Sequence, residues 1–241
     1  MYLVLCNPED EAALWAARGL LDRGLHVEVV SPAMLLSAPR WTLLHNDSGT
    51  RWEIHLNDSR KLCSNKISGA INRVTHVSGN RINRMAERDR NYAVQEWNAI
   101  FLAFLADIHG LVVNPPSPRW LAGYVAHEAE WHWLASQSGI PVSKYTWKPD
   151  KTKTNDPTAQ IKKVLVIGDS IFGPDISGVC QESCCRLARM VNCTLLEVHF
   201  VNSDSAEWFF GATPFANLFL GGEAGIDHLA TIFEKNKGVA Q

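Results

Sequence analysis

The stretch "YLVLCNPEDEAALWAARGLLDRGLHVEVV", residues 2–30, decides the fold class. It opens with an apolar run (2–6) that reads as a buried strand. Asn7 suits a helix N-cap and Pro8 the first helical position, and Glu9, Asp10 and Glu11 favour the positive end of a helix. Leu14, Ala17, Leu20 and Leu21 mark one apolar face, and Gly24 stops the helix. "LHVEVV" then alternates as a second strand. A strand–helix–strand opening implies a parallel sheet. The expected fold is therefore α/β: a mostly parallel N-terminal sheet flanked by helices, with a smaller C-terminal α+β portion.

Composition bounds the function. With 46% hydrophobic residues the 241-residue chain can bury a sizeable core. A formal net charge of −2 argues against nucleic acid as a partner. No run approaches the roughly 18 apolar residues of a membrane span. "MYLVLCNPEDEAALW" has no basic region and turns acidic by Glu9, so it does not read as a signal peptide. A cytoplasmic location is expected, with the six cysteines as reduced thiols. The nine tryptophans form no repeat and are read as packing residues.

Further along, 40–56 reads as a hairpin turning at 46–49, 68–74 as a strand, and 75–90 as a polar loop. Residues 88–109 keep a helical period and end at Gly110. "LVVNPPSPRWLAG" (111–123) reads as a strand stopped by a double proline, then a helix running to about Ser138. "TWKPDKTKTNDPTAQIKK" (146–163) is polar and lysine-rich. It is read as a linker between a domain at 1–145 and a second portion at 164–241. In the latter, "VLVIGD" (164–169) reads as a strand, 178–192 as a helix, "TLLEVHF" (194–200) and "WFFGAT" (208–213) as strands, and 222–236 as the closing helix.

Strand ends that feed helices are where α/β proteins place ligands. Asn72, Arg73, Asn114 and Asp169 each close an apolar strand. If those strands are parallel, the four gather at one sheet edge, where Arg73 would suit a carboxylate or phosphate. The alternative is that the asparagines cap helices and Arg73 pairs with a surface acid. His76 and His199 lie at strand ends as well. Cys180, Cys184 and Cys185, with Cys193, are read as buried thiols rather than a metal knuckle. His127 and His132 fall on different helix faces, and Glu128 and His132 are read as part of a solvated face.

The order of these pieces resembles the ATP-grasp enzymes of the glutathione-synthetase type, closest to relatives that modify peptides. The likeness rests on "AINR", "QEW" (95–97), "VVNPPSP", "SGIPVSKYTW", "VLVIGD", "LLEVHF" and "WFFGATP". It implies magnesium held by an acid on one strand and by a glutamate and an asparagine on the next, bridging a triphosphate. Here the first position is His199. The pattern "LEVNP" is matched by "FGATP", so Gly211 stands for the glutamate and Thr213 for the asparagine. Glu197, two residues before His199, shares its strand face and compensates for one lost acid at most. The subdomain that carries the family's phosphate flap and lysines is reduced to the 146–163 stretch.

The leading expectation is a pseudoenzyme: an ATP-grasp-like protein without ligase activity and with no cofactor. It would bind a peptide, a protein partner or a small anionic ligand beside a peptide-modification pathway. A homodimer would cover apolar surface left by the lost subdomain. The alternative is a shortened but active ATP-dependent carboxylate ligase, with Glu197 and Asp169 on magnesium and Lys144, Lys148, Lys151 and Lys153 on phosphate. A third reading is a metal- or thiol-dependent enzyme using His199 with a cysteine. Glu197 and His199 come nearest to a metal pair, and no metal is expected.

Overall fold

The structure is a computed structural model that describes residues 1–46, 49–76, 80–117, 119–143, 161–203 and 206–237. The chain divides into two compact units, one of Met1–Ala122 with Ile226–Gln241 and one of Gly123–Gly225.

The first unit runs β1 (Tyr2–Leu5), α1 (Glu11–Asp22), β2 (Val27–Val30), α2 (Pro32–Ser37), β3 (Arg40–Asn46), β4 (Gly49–His55), β5 (Lys61–Cys63), β6 (Gly69–Asn72), α3 (Asn80–Asn83), α4 (Glu87–Ala106) and β7 (Leu111–Val113). Four strands make a parallel sheet in the order β2-β1-β6-β7. β1 and β6 are buried throughout, as strands covered on both faces must be. Leu3, Leu5 and Ala70 join a core with Phe101, Phe104 and Leu105 of α4. Trp41 stands edge-on to Trp52, Trp97 and Phe104, each with centroids 5.8 Å away. Tyr2 packs against Phe233 at 4.9 Å. There Gly69 leaves the space: a Cβ on it would lie 2.7 Å from the Phe233 ring. β3, β4 and β5 form a separate antiparallel sheet.

The second unit holds α5 (Glu128–Ser138), β8 (Ile161–Ile167), β9 (Ser170–Phe172), α6 (Gly178–Met190), β10 (Leu195–Ser203) and β11 (Ala206–Thr213). A 3-10 turn (Leu218–Gly221) follows, then the start of α7 (Gly222–Asn236). Its sheet, β11-β10-β8-β9, is antiparallel throughout. One face packs on α5 and α6 through Val164, Val166, Leu196, Val198, Phe200, Phe209, Trp131, Cys184 and Leu187. By strand alternation Lys163, Leu165, Glu197 and His199 point to the opposite face, with Gly211 and Thr213 directly across from His199 and Glu197.

The mixed α/β class and the mostly parallel N-terminal sheet flanked by helices agree with the sequence reading. Details differ. The first helix starts at Glu11, because Asp10 rather than Asn7 is its cap, accepting from Ala13 N at 3.1 Å. The expected helix after the double proline does not form before Glu128. Ser117 and Trp120 instead exchange backbone hydrogen bonds of 2.8 and 3.2 Å, and Gly123 takes φ +105°. The 75–90 loop contains α3 and the start of α4. α2, β5 and β9 were unanticipated. Of the expected linker, 146–160 and the four lysines at 144, 148, 151 and 153 lie outside the described residues, and 161–163 begin β8. Among the described residues no helix is long and apolar enough to cross a membrane.

Candidate functional site

Asn72, Arg73 and Asn114 stand together at the C-terminal edge of the parallel sheet, as their positions after β6 and β7 require. All three are buried. Their bonds are internal. Asn72 Nδ2 donates to Leu121 O at 2.5 Å, and Asn72 Oδ1 accepts from Val74 N at 3.3 Å. Arg73 grips Asp10 with two bonds, Nε to Oδ2 at 2.6 Å and Nη2 to Oδ1 at 3.2 Å. Asn114 ends β7 in the left-handed region, φ +54°, a conformation asparagine tolerates better than most residues. The double proline then leads the chain away. His76 is exposed and its Nδ1 meets Thr75 Oγ1 at 3.0 Å.

Asp169 does not join this edge. β8 belongs to the antiparallel sheet, and Asp169 sits in the β8–β9 turn, 82% exposed and 3.5 Å from Arg189 Nε. The expected gathering of four strand-end residues is therefore three, because only β6 and β7 are neighbours in one parallel sheet.

The second constellation is built on β10. Glu197 is buried, and both of its oxygens are engaged. Oε1 lies 2.6 Å from His199 Nε2 and 3.3 Å from Lys163 Nζ, while Oε2 accepts from Asn217 N at 2.7 Å. Burial alone would raise this carboxyl. The His199 hydrogen bond, the Asn217 amide and the Lys163 charge outweigh it and hold the pKa down at about 2. Lys163 faces His199 across β8–β10, and Gly211 faces it across β10–β11. Asp10, Lys163 and Asn217 were not singled out from the sequence. Lys163 falls within the stretch that reads as a linker, and its partner lies 34 positions on, beyond the reach of local spacing.

The donor set suits magnesium poorly. That ion takes hard oxygens, but Glu197 already answers an ammonium, an imidazole and an amide, and Gly211 offers no side chain. Among the described residues no group of three or more His, Cys, Asp or Glu is placed to hold a metal.

The remaining candidates are structural. All six cysteines are free and buried. Burial pushes the thiols of Cys184, Cys185 and Cys193 upward, and that of Cys6 to about 11, where Asp10 adds to the rise and Arg73 opposes it. His132 lies on a buried face rather than a solvated one. Its ring stands edge-on to Phe209 at 5.3 Å, and its Nδ1 meets Glu128 O at 3.0 Å. His127 caps α5, accepting from Ala129 N at 3.3 Å.

No protein-family model matches the chain, and no curated protein matches it. Solved structures do. The macrocyclase MdnC of Microcystis aeruginosa MRC, bound with precursor peptide MdnA, aligns over 97% of this chain and 99% of its own with TM-score 0.74 and 13% identity. A RiPP-associated ATP-grasp ligase of Chryseobacterium gregarium, in complex with ADP and a leader and core peptide, aligns over 100% and 96% with TM-score 0.72 and 10% identity. The ATP-grasp ligase PsnB, complexed with minimal precursor, Mg and ADP, aligns over 98% of both chains with TM-score 0.67 and 16% identity. At such identities the likeness is one of architecture: the chain has the ATP-grasp fold, in the form seen in peptide-modifying ligases.

Proposed function

We propose that the chain is a non-ligating protein of ATP-grasp fold that binds a peptide and serves a peptide-modification pathway. The observation that carries this reading is the Lys163–Glu197–His199 cluster beside Gly211 and Thr213. At the positions where the resemblance calls for an acid, a glutamate and an asparagine, the chain has His199, Gly211 and Thr213. Glu197, on the same strand face as His199, is already paired with Lys163. A triphosphate carries about four negative charges, and without a metal or clamping cations its desolvation is strongly unfavourable. A peptide takes precedence over a protein partner or a small anion because three similar proteins were solved with precursor or leader peptides.

The test is an ADP-release assay on the purified chain with Mg-ATP, paired with calorimetry. The expected result is no ADP above background and no heat from Mg-ATP. ADP formation that disappears in Glu197→Ala would overturn the reading in favour of a shortened carboxylate ligase.

A further inference from the structure

The Glu197–His199 pair leaves one atom unused. The carboxylate is ionised and can only accept, so the ring nitrogen facing it, Nε2, carries the proton. In the neutral ring Nδ1 is then a lone-pair acceptor, and among the described residues it has no partner. It faces Gly211: a Cβ built on that residue would lie 3.9 Å from Nδ1 and meet nothing else within 4 Å. The gap exists because residue 211 lacks a side chain. Two positions along the same strand face, Thr213 Oγ1 accepts from Phe215 N at 3.2 Å, and its own proton has no acceptor among the described residues. A lone pair and a free hydroxyl proton thus open on one face of the sheet. The His199 side chain is 20% exposed there, over a carboxylate that fixes its orientation.

We propose that His199 Nδ1 and the Thr213 hydroxyl form a binding subsite in the Gly211 gap. It accepts a neutral side chain that both donates and accepts a hydrogen bond, the hydroxyl of Ser or Thr or the carboxamide of Asn or Gln on a bound peptide. This rests on the peptide-binding reading above and adds the point of recognition. Glu197 acts as a positioning residue, holding the ring in the tautomer that leaves Nδ1 open.

The test uses nitrogen-15-labelled full chain in mildly alkaline buffer. The His199 ring signals are assigned by their loss in His199→Gln. The probes are three capped tripeptides, Ala-Thr-Ala, Ala-Gln-Ala and the shape-matched Ala-Val-Ala. The free protein should show the Nε2–H tautomer. The Thr or the Gln peptide should shift the Nδ1 signal and bind at least about fivefold tighter than the Val peptide, as loss of one hydrogen bond implies. A response to Thr alone assigns a hydroxyl ligand, and to Gln alone a carboxamide. Gly211→Val fills the gap at ordinary contact distance and should abolish the response while leaving the spectrum folded. A proton on Nδ1 in the free protein, equal titration by all three peptides, or undiminished binding by Gly211→Val would overturn the proposal. ADP release bears on the non-ligating reading alone, and the tautomer and gap measurements bear on the subsite alone.

Discussion

Arg73 and Asp10, 63 residues apart in sequence, meet through two hydrogen bonds at the C-terminal edge of the parallel sheet, with side chains 5% and 10% exposed. β1 lies between β2 and β6, so the chain order reverses beside β1. In open α/β sheets the crevice at such a reversal is where ligands usually sit. Here an internal ion pair occupies it, and the same Asp10 caps α1.

Removing Arg73 takes from the largely buried Asp10 carboxylate the cation that faces it. Arg73→Met is expected to cost about 3–5 kcal/mol, and Asp10→Ala should cost at least roughly 1 kcal/mol for the lost cap besides the ion pair. The double variant Arg73→Met/Asp10→Ala should lose less than the sum of the two singles, since neither charge remains. Urea denaturation of the three variants checks this. Losses below about 1 kcal/mol for Arg73→Met would show that the pair is effectively solvated.

Gly69 and Phe233 form a second exclusive contact. A methyl group on Gly69 would sit 2.7 Å from two ring carbons of Phe233. Gly69→Ala should destabilise by about 1–3 kcal/mol through overpacking. Adding Phe233→Leu should recover part of that loss by removing the clashing ring edge. Thermal unfolding of both variants reads the compensation. A double variant that loses as much as the sum of the two singles, or more, would show that the Phe233 ring is not what opposes the methyl group.

The opening strand–helix–strand unit was legible because its signals are local: a four-residue apolar strand, an acidic helix start and a glycine stop. Its cap was not. Asn7 and Asp10 are both competent caps by residue type, and the one that caps, Asp10, is also held by Arg73, 63 residues away, a contact that local spacing does not reveal. "VLVIGD" reads as a strand covered on both faces, which is correct. Its second cover is the 3-10 turn, whose Gly221 approaches Leu165, and the antiparallel direction of its neighbours is not written in an apolar run. Ser31 and Pro32 carry the cap and first-turn signals of α2. They passed unread because six residues hold too little periodicity. Of the β10 constellation, His199 and Glu197 were visible as residues. Lys163 and Asn217 were not, since an exposed-looking lysine and a loop asparagine acquire a role only once β8 and the 3-10 turn pack beside Glu197.

The thiols give a direct chemical prediction. All six are buried, which hides them from reagent, and burial also pushes the thiols of Cys6, Cys184, Cys185 and Cys193 upward, so those four carry little thiolate at neutral pH. A colorimetric thiol reagent should react with none of them in the native chain over minutes and with all six in denaturant. Fast labelling of any one cysteine under native conditions would revive a thiol-dependent activity.

Glu197 supplies a pH dependence whose sign is fixed. Its folded-state pKa lies at about 2 against 4.5 for an unperturbed glutamate. The unfolded chain therefore binds this proton first as acid is added. The stabilisation is complete above about 4.5 and disappears as pH falls towards 2, and linkage makes it worth up to about 3 kcal/mol. Lys163 and the Asn217 amide would then face a neutral carboxyl, and the turn that Asn217 begins would lose its anchor. Glu197→Gln removes the titration but keeps the shape. Its stability should be lower than wild type at neutral pH and should change less between pH 4.5 and 2. Lys163→Met should shrink the wild-type dependence without removing it, because the hydrogen bonds from Asn217 and His199 remain. Chemical denaturation across this pH range measures all three proteins. Parallel curves for wild type and Glu197→Gln would mean that the Glu197 cluster does not hold the carboxylate in its charged form.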